Sequence, residues 1–213
     1  MIAEHLSGPP TVLLIGSVRG LTDEVAPVLE KLQEFNPAAV AVSLAPEEAE
    51  TLAQYFVGTR TEPIVPLSAS EASHAVGLAR IAEVQVPAPA LLGAVEWATR
   101  GGRPVVGVDP PEDTYAEMFA AHIGYFELVR RTLRERNLVK RPPKVASADE
   151  YALTWDRTMQ PGAGSARLAQ AREEFAADRV RRLGRTYPHV AVVVDRERFD
   201  PFRRAFAAGR GPG

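Results

Sequence analysis

The stretch Val12–Val25, VLLIGSVRGLTDEV, decides the fold. An apolar run of strand length stops at Gly16, polar residues follow, and a helix begins near Val25. A run that is apolar at every position, rather than at every second one, marks a strand buried on both faces, as in a parallel sheet sandwiched between helices. With Thr11 the strand reads TVLLIG. Val25, Val28, Leu29, Leu32 and Phe35 then recur at helical spacing, with Thr22 or Asp23 as the cap and Pro27 in the tolerant first turn.

The same grammar repeats along the chain. Ala38–Leu44 (AAVAVSL), Pro104–Val108 (PVVGV) and His189–Val194 (HVAVVV) read as further buried strands, and Ile64–Leu67 (IVPL) as a short irregular one. Helices are expected from Pro46 to about Tyr55, over Ser70–Ala82, and over Ala88–Arg100 with Gly101 and Gly102 closing it. Glu112–Asn137 reads as one long helix or two broken near Gly124; Ala166–Leu183, capped by Ser165, and Phe199–Ala208 follow. Loops are expected from Lys140 and over Met159–Ala166. The alternation predicts an α/β fold: a mostly parallel β-sheet flanked by helices, with a helical excursion (residues 112–188) between the third and last main strands. The chain reads as one domain, 1–213, with a disordered tail at 209–213.

Composition narrows function by exclusion. The 213 residues carry 25 Lys+Arg against 27 Asp+Glu, a net charge of -2, so no global charge favours nucleic acid or acidic lipid. The absence of cysteine removes disulfides, thiolate nucleophiles and cysteine-held zinc. His5, His74, His122 and His189 show no metal-site spacing. MIAEHLSGPP is not a signal peptide, and no apolar run is long enough to cross a bilayer. These readings give a cytoplasmic protein with no cofactor, no nucleic acid and no membrane partner.

In open parallel sheets ligands sit beyond the carboxyl ends of the strands. There stand Gly16, Ser17 and Arg19 after the first strand and Ser43 after the second. Asp109, Glu112 and Asp113 follow the third, and Asp195, Arg196 and Glu197 the last. A plainer reading of any one of them is that strand ends are polar because they meet water.

The order of these stretches resembles the TraB family, which includes the pheromone-shutdown proteins and is related to Tiki-type proteases and to ChaN and erythromycin-esterase-like domains. VLLIGSVRGLTDEVAPVLEKLQEFNPAAVAVSLAPEEAETL resembles that family's opening, AVEWATRGGRPVVGVDPPEDTYAEMF its middle strand, and EEFAADRVRRLGRTYPHVAVVVDRERFDPF its ending. The family's opening carries a Gly-x-x-His turn and a Val-Glu-Leu-Asp strand end, and its ending a Gly-x-Gly-His. Here Arg19 takes the first histidine position, Val42-Ser43-Leu44-Ala45 lacks both acids, and Val194-Asp195-Arg196-Glu197 lacks the second histidine. A guanidinium has only donors and cannot bind a cation. The resemblance therefore implies a metallohydrolase-like domain without its ligands, with an Arg19–Glu197 ion pair, joined by Asp109 or Asp195, in the old metal cavity.

Two functions follow. The first is a binding or regulatory protein, forming a homodimer through its helical middle and taking a small anionic ligand at the rim. The second is a hydrolase of altered, metal-independent mechanism, with Arg19 as oxyanion binder and Asp109, Asp195 or Glu197 as acid or base. Gly16-x-x-x-Gly20 lacks the Gly-Lys-Ser/Thr ending of a phosphate loop. Neither Ser17 nor Ser43 lies in a nucleophile elbow. The basic stretch Leu128–Arg141 reads as a solvated helix face. Tyr115, Phe119, His122 and Phe126 form an aromatic stripe suited to a core or a subunit interface.

Overall fold

A computed structural model describes residues 1–59, 69–160 and 162–209. The strand expected at Ile64–Leu67 and the tail beyond Gly209 lie outside the described residues. The fold is α/β: five strands in the order β1-β2-β5-β3-β4 form one sheet. β2 (Thr11–Ser17), β3 (Ala39–Val42), β4 (Val105–Gly107) and β5 (His189–Asp195) run parallel, with β5 between β2 and β3. β1 (Ile2–Leu6) pairs antiparallel with β2 at the edge. The sequence reading contained no such strand.

The continuous apolar runs are explained by two cores, one on each face. Leu13, Ile15, Val40, Val42, Ala191 and Val193 point toward α1 (Val25–Phe35), α2 (Pro46–Phe56) and α4 (Pro89–Arg100). Their neighbours Val12, Leu14, Ala41, Val190, Val192 and Val194 point the other way, onto α8 (Ala163–Leu183) and α9 (Phe199–Ala208). Alternate side chains leave opposite faces of a strand, so a sheet covered twice must be apolar throughout.

A third cluster caps the carboxyl ends of the strands. Val18 and Leu21, just past β2, pack with Leu78 of α3 (Ala69–Leu78), Leu138 of α6 (Tyr125–Lys140), and Tyr151, Trp155 and Met159 of α7 (Ala148–Met159). α3, α6 and α7 thus form a lid of helices seated on the edge where the rim residues emerge, while α8, also in the helical excursion, covers a face of the sheet.

Of the two alternatives for 112–137 the second holds: it is two helices, α5 (Glu112–His122) and α6, parted at Ile123 and Gly124, whose backbones are extended. Other local expectations are corrected. The break dissolves the aromatic stripe: Phe126 belongs to the second helix and is 86% exposed. Ser165 does not cap α8, whose N-cap is Gly162. It lies inside the first turn, and its backbone N–H and hydroxyl both donate to Glu127 at 2.6 Å. Neither Thr22 nor Asp23 caps α1; they form a 3-10 turn, Thr22–Glu24, that leads straight into it. Gly101 and Gly102 do close α4, and Gly102 takes the left-handed φ of 66° that glycine adopts without strain.

Candidate functional site

The turn after β2 is shaped by Gly20, whose φ of 92° is left-handed, and by Glu24, whose buried carboxylate accepts the Val18 N–H at 2.7 Å. That turn sends Arg19 across the end of β5. Its Nη2 lies 2.5 Å from Asp195 Oδ2, and its Nε donates to Oδ1 at 3.2 Å. The same Nη2 reaches Glu197 Oε1 at 3.5 Å, and Nη1 lies 3.6 Å from Glu71 of α3. The ion pair expected with Glu197 is present, but it is the long arm. Asp195 makes the bidentate contact, the stronger form of an arginine–carboxylate pair.

A second network sits beside the first. Buried Arg198 donates to Glu173 of α8 at 2.6 and 3.2 Å and to Asp109 Oδ2 at 3.0 Å. Asp109 Oδ1 lies 2.8 Å from Arg198 Nη2, an ion-pair contact without hydrogen-bond alignment. Arg172 of α8 also grips Asp109. Asp109 therefore joins Arg172 and Arg198, not Arg19.

These contacts set the protonation states. Burial raises the Asp195 carboxyl, but Arg19, joined by Arg198 and Arg172, outweighs it and the group is held below the usual carboxylate range. Asp109 behaves alike under Arg198 and Arg172. Asp195 in turn strengthens the Arg19 charge. Glu197 differs: burial and the neighbouring Asp195 push it up to about 7, and its Oε2 has no hydrogen-bond partner. His74 of α3, stacked edge-on to Tyr151 and Trp155, is lowered to about 4 by burial and by Arg19, so its imidazole is neutral at pH 7.

A cavity of about 440 Å³ opens between the sheet edge and the lid, bordered on its polar side by Arg19, Ser43, His74, Asp109, Arg131 and Arg172. Leu44, Leu52, Leu91 and Leu92 form its apolar wall. A smaller cavity, about 190 Å³, shares Arg19, His74 and Arg131 and reaches Glu197. Ser43 is 7% exposed and its Oγ has no partner.

No family model matches the chain, and a search of the curated proteins finds no relative. The site is read from its geometry.

The expected rim residues divide. Arg19, Ser43, Asp109, Asp195 and Glu197 meet around the two cavities. Gly16 serves packing: a Cβ there would lie 2.9 Å from Phe199 Cδ2 of α9. Ser17 is buried in β2. Arg196 turns away to Asp149 of α7, and Glu112 sits at the exposed start of α5, where its N–H donates to Glu47 at 3.3 Å. His74, Glu71, Arg131, Arg172 and Glu173 were missed. They ride on α3, α6 and α8, and their approach to the rim is a product of packing that spacing along the chain does not encode. Arg198 was within reach of sequence reasoning, since it lies in the same DRER stretch as Glu197. Among the described residues no group of three or more His, Asp or Glu is arranged to hold a metal ion.

Proposed function

We propose that this chain is a TraB-like domain in which binding has replaced metal-dependent hydrolysis, and that the rim cavity takes a small anionic ligand. The carrying observation is the bidentate Arg19–Asp195 pair. It sets a permanent cation where a metal-dependent relative would need a donor, and it neutralises a carboxylate that would otherwise serve as a ligand. The anion preference rests on Arg131 at the cavity wall and on the unpartnered Ser43 hydroxyl. The facing acids are already engaged: Asp195 and Glu71 by Arg19, Asp109 by Arg172 and Arg198, and Glu48 by the Ala45 N–H.

Calorimetric titration with Zn²⁺, Mn²⁺ and Fe²⁺ tests this. The expected result is no stoichiometric heat. Tight one-to-one binding that Asp195→Asn abolishes overturns the reading. In a thermal-shift series with inorganic phosphate, the wild type is expected to rise in Tm and Arg131→Ala is not.

One observation favours the second reading, a metal-independent hydrolase. Two carboxyls share Arg19, yet Asp195 is held ionised while Glu197 sits at about 7, the split that divides base from acid in a carboxylate pair. Under that reading, hydrolysis of activated esters shows a limb near pH 7 that Glu197→Gln removes. No turnover above buffer excludes it.

A further inference from the structure

The helix α6 presents a face that none of the described residues covers. Tyr125 is 75% exposed, Phe126 86% and Leu133 54%, with Leu128 and Val129 also open to solvent. Phe126, Val129 and Leu133 follow one another at i, i+3 and i+7, so they share a stripe. Exposed Arg136 and Lys140 lie further along that side of the helix, and Arg130 flanks it. The acids of this helix, Glu127 and Glu135, are half-buried, and Glu127 is bonded inward to Ser165.

The charge continues past the helix. Lys140 also lines a broad groove, about 990 Å³, whose cations are Arg80, Lys140, Arg141 and Lys144. Among the described residues its one acid, exposed Glu150, receives the Ala146 N–H. Exposed Ile81 borders the same groove. Residues 125–144 contain seven Lys or Arg against two Glu, in a chain whose net charge is -2. This stretch is therefore locally cationic in a chain that is slightly acidic.

We infer that this face docks peripherally on an anionic lipid bilayer, with the Phe126–Val129–Leu133 stripe entering the headgroup region and Arg136, Lys140, Arg141 and Lys144 paired with lipid charge. Aromatic and aliphatic side chains on one face of a helix whose acids are half-buried, with flanking cations that outnumber the one groove acid, are the chemistry that holds a helix in a bilayer interface. Two other occupants fit less well. A second copy of the chain would bring like charges together across the interface. Nucleic acid would match the cations, but Val129 and Leu133 have no ring with which to stack on bases.

Flotation with vesicles of neutral phosphatidylcholine, and of the same lipid with about one-third phosphatidylglycerol, tests the inference on the full chain. Binding is expected to the anionic vesicles only, and to weaken about tenfold or more when 0.5 M salt screens the surface. Tyr125→Trp should shift its emission to the blue on anionic vesicles. The pairs Lys140→Glu with Lys144→Glu, and Phe126→Ser with Leu133→Ser, alter exposed side chains only; each should abolish binding while leaving Tm within a few degrees of wild type. Absence of binding to anionic vesicles overturns the inference. So does a single-stranded oligonucleotide that binds equally tightly with the stripe variant, which assigns the face to nucleic acid. A stable dimer that the stripe variant dissociates also overturns it. The rim cavity is untouched by these variants, so metal and phosphate titrations remain an independent measure of that site.

Discussion

Glu197 and His74 both feel the Arg19 guanidinium and respond to protons in opposite senses. His74, ordinarily at 6.5, is lowered to about 4. The folded chain then binds fewer protons than the unfolded chain between those values, and His74 adds stability as pH rises from 4 to 6.5. Glu197, ordinarily at 4.5, is raised to about 7, so its contribution falls as pH rises from 4.5 to 7. The two effects oppose each other over the shared window. Urea unfolding across that range should therefore show Glu197→Gln gaining stability from pH 4 to 6.5, and His74→Gln losing it from 4.5 to 7. Two variants with the same profile would refute the opposition. Arg198 offers a sharper test. It is buried between Asp109 and Glu173, and Arg198→Met leaves Glu173 without its cation. Removing one member of a buried ionic network costs about 3–5 kcal/mol, readable as a lower urea midpoint; a loss below about 1 kcal/mol would mean that water reaches the network.

Among the elements, β3 and β4 show how tightly the rim is built. At Gly107 a Cβ would stand 2.5 Å from the Ala45 carbonyl oxygen and 2.7 Å from that of Leu44. These are backbone atoms that cannot swing aside, so Gly107→Ala is expected to cost about 1–3 kcal/mol in thermal unfolding. It should also displace Ser43, two residues from Ala45. Elements with a strong pattern were legible in the sequence. β2 and β5 announce themselves as uninterrupted apolar runs, and their turns deliver Arg19 and Asp195 to the same edge. β1 was not legible: IAEHL is short, half polar and only partly buried, and its place is set by an antiparallel register with β2. The break between α5 and α6 was visible at Gly124, but not that the second helix would leave its apolar side uncovered.

For the molecule as a whole, the two faces of the sheet are closed by different parts of the chain. α1, α2 and α4 come from its first half, and α8 and α9 from its last third. The rim networks tie these parts together, since Arg19 and Asp195 stand 176 positions apart. Fold class and the general place of the site could therefore be read locally. The particular partners could not, because α8 supplies Arg172 and Glu173 from a helix whose sequence says only that it is amphipathic.

The strand order has a temporal meaning. β2 and β3 touch only through β5, which begins at residue 189, far behind both in the chain. During synthesis the middle of the sheet cannot exist until β5 has left the ribosome, and until then two apolar strand edges wait unpaired. Nascent chains halted before that point should be captured by chaperones and cut readily by proteases, while chains extended through it should acquire resistance in one abrupt step.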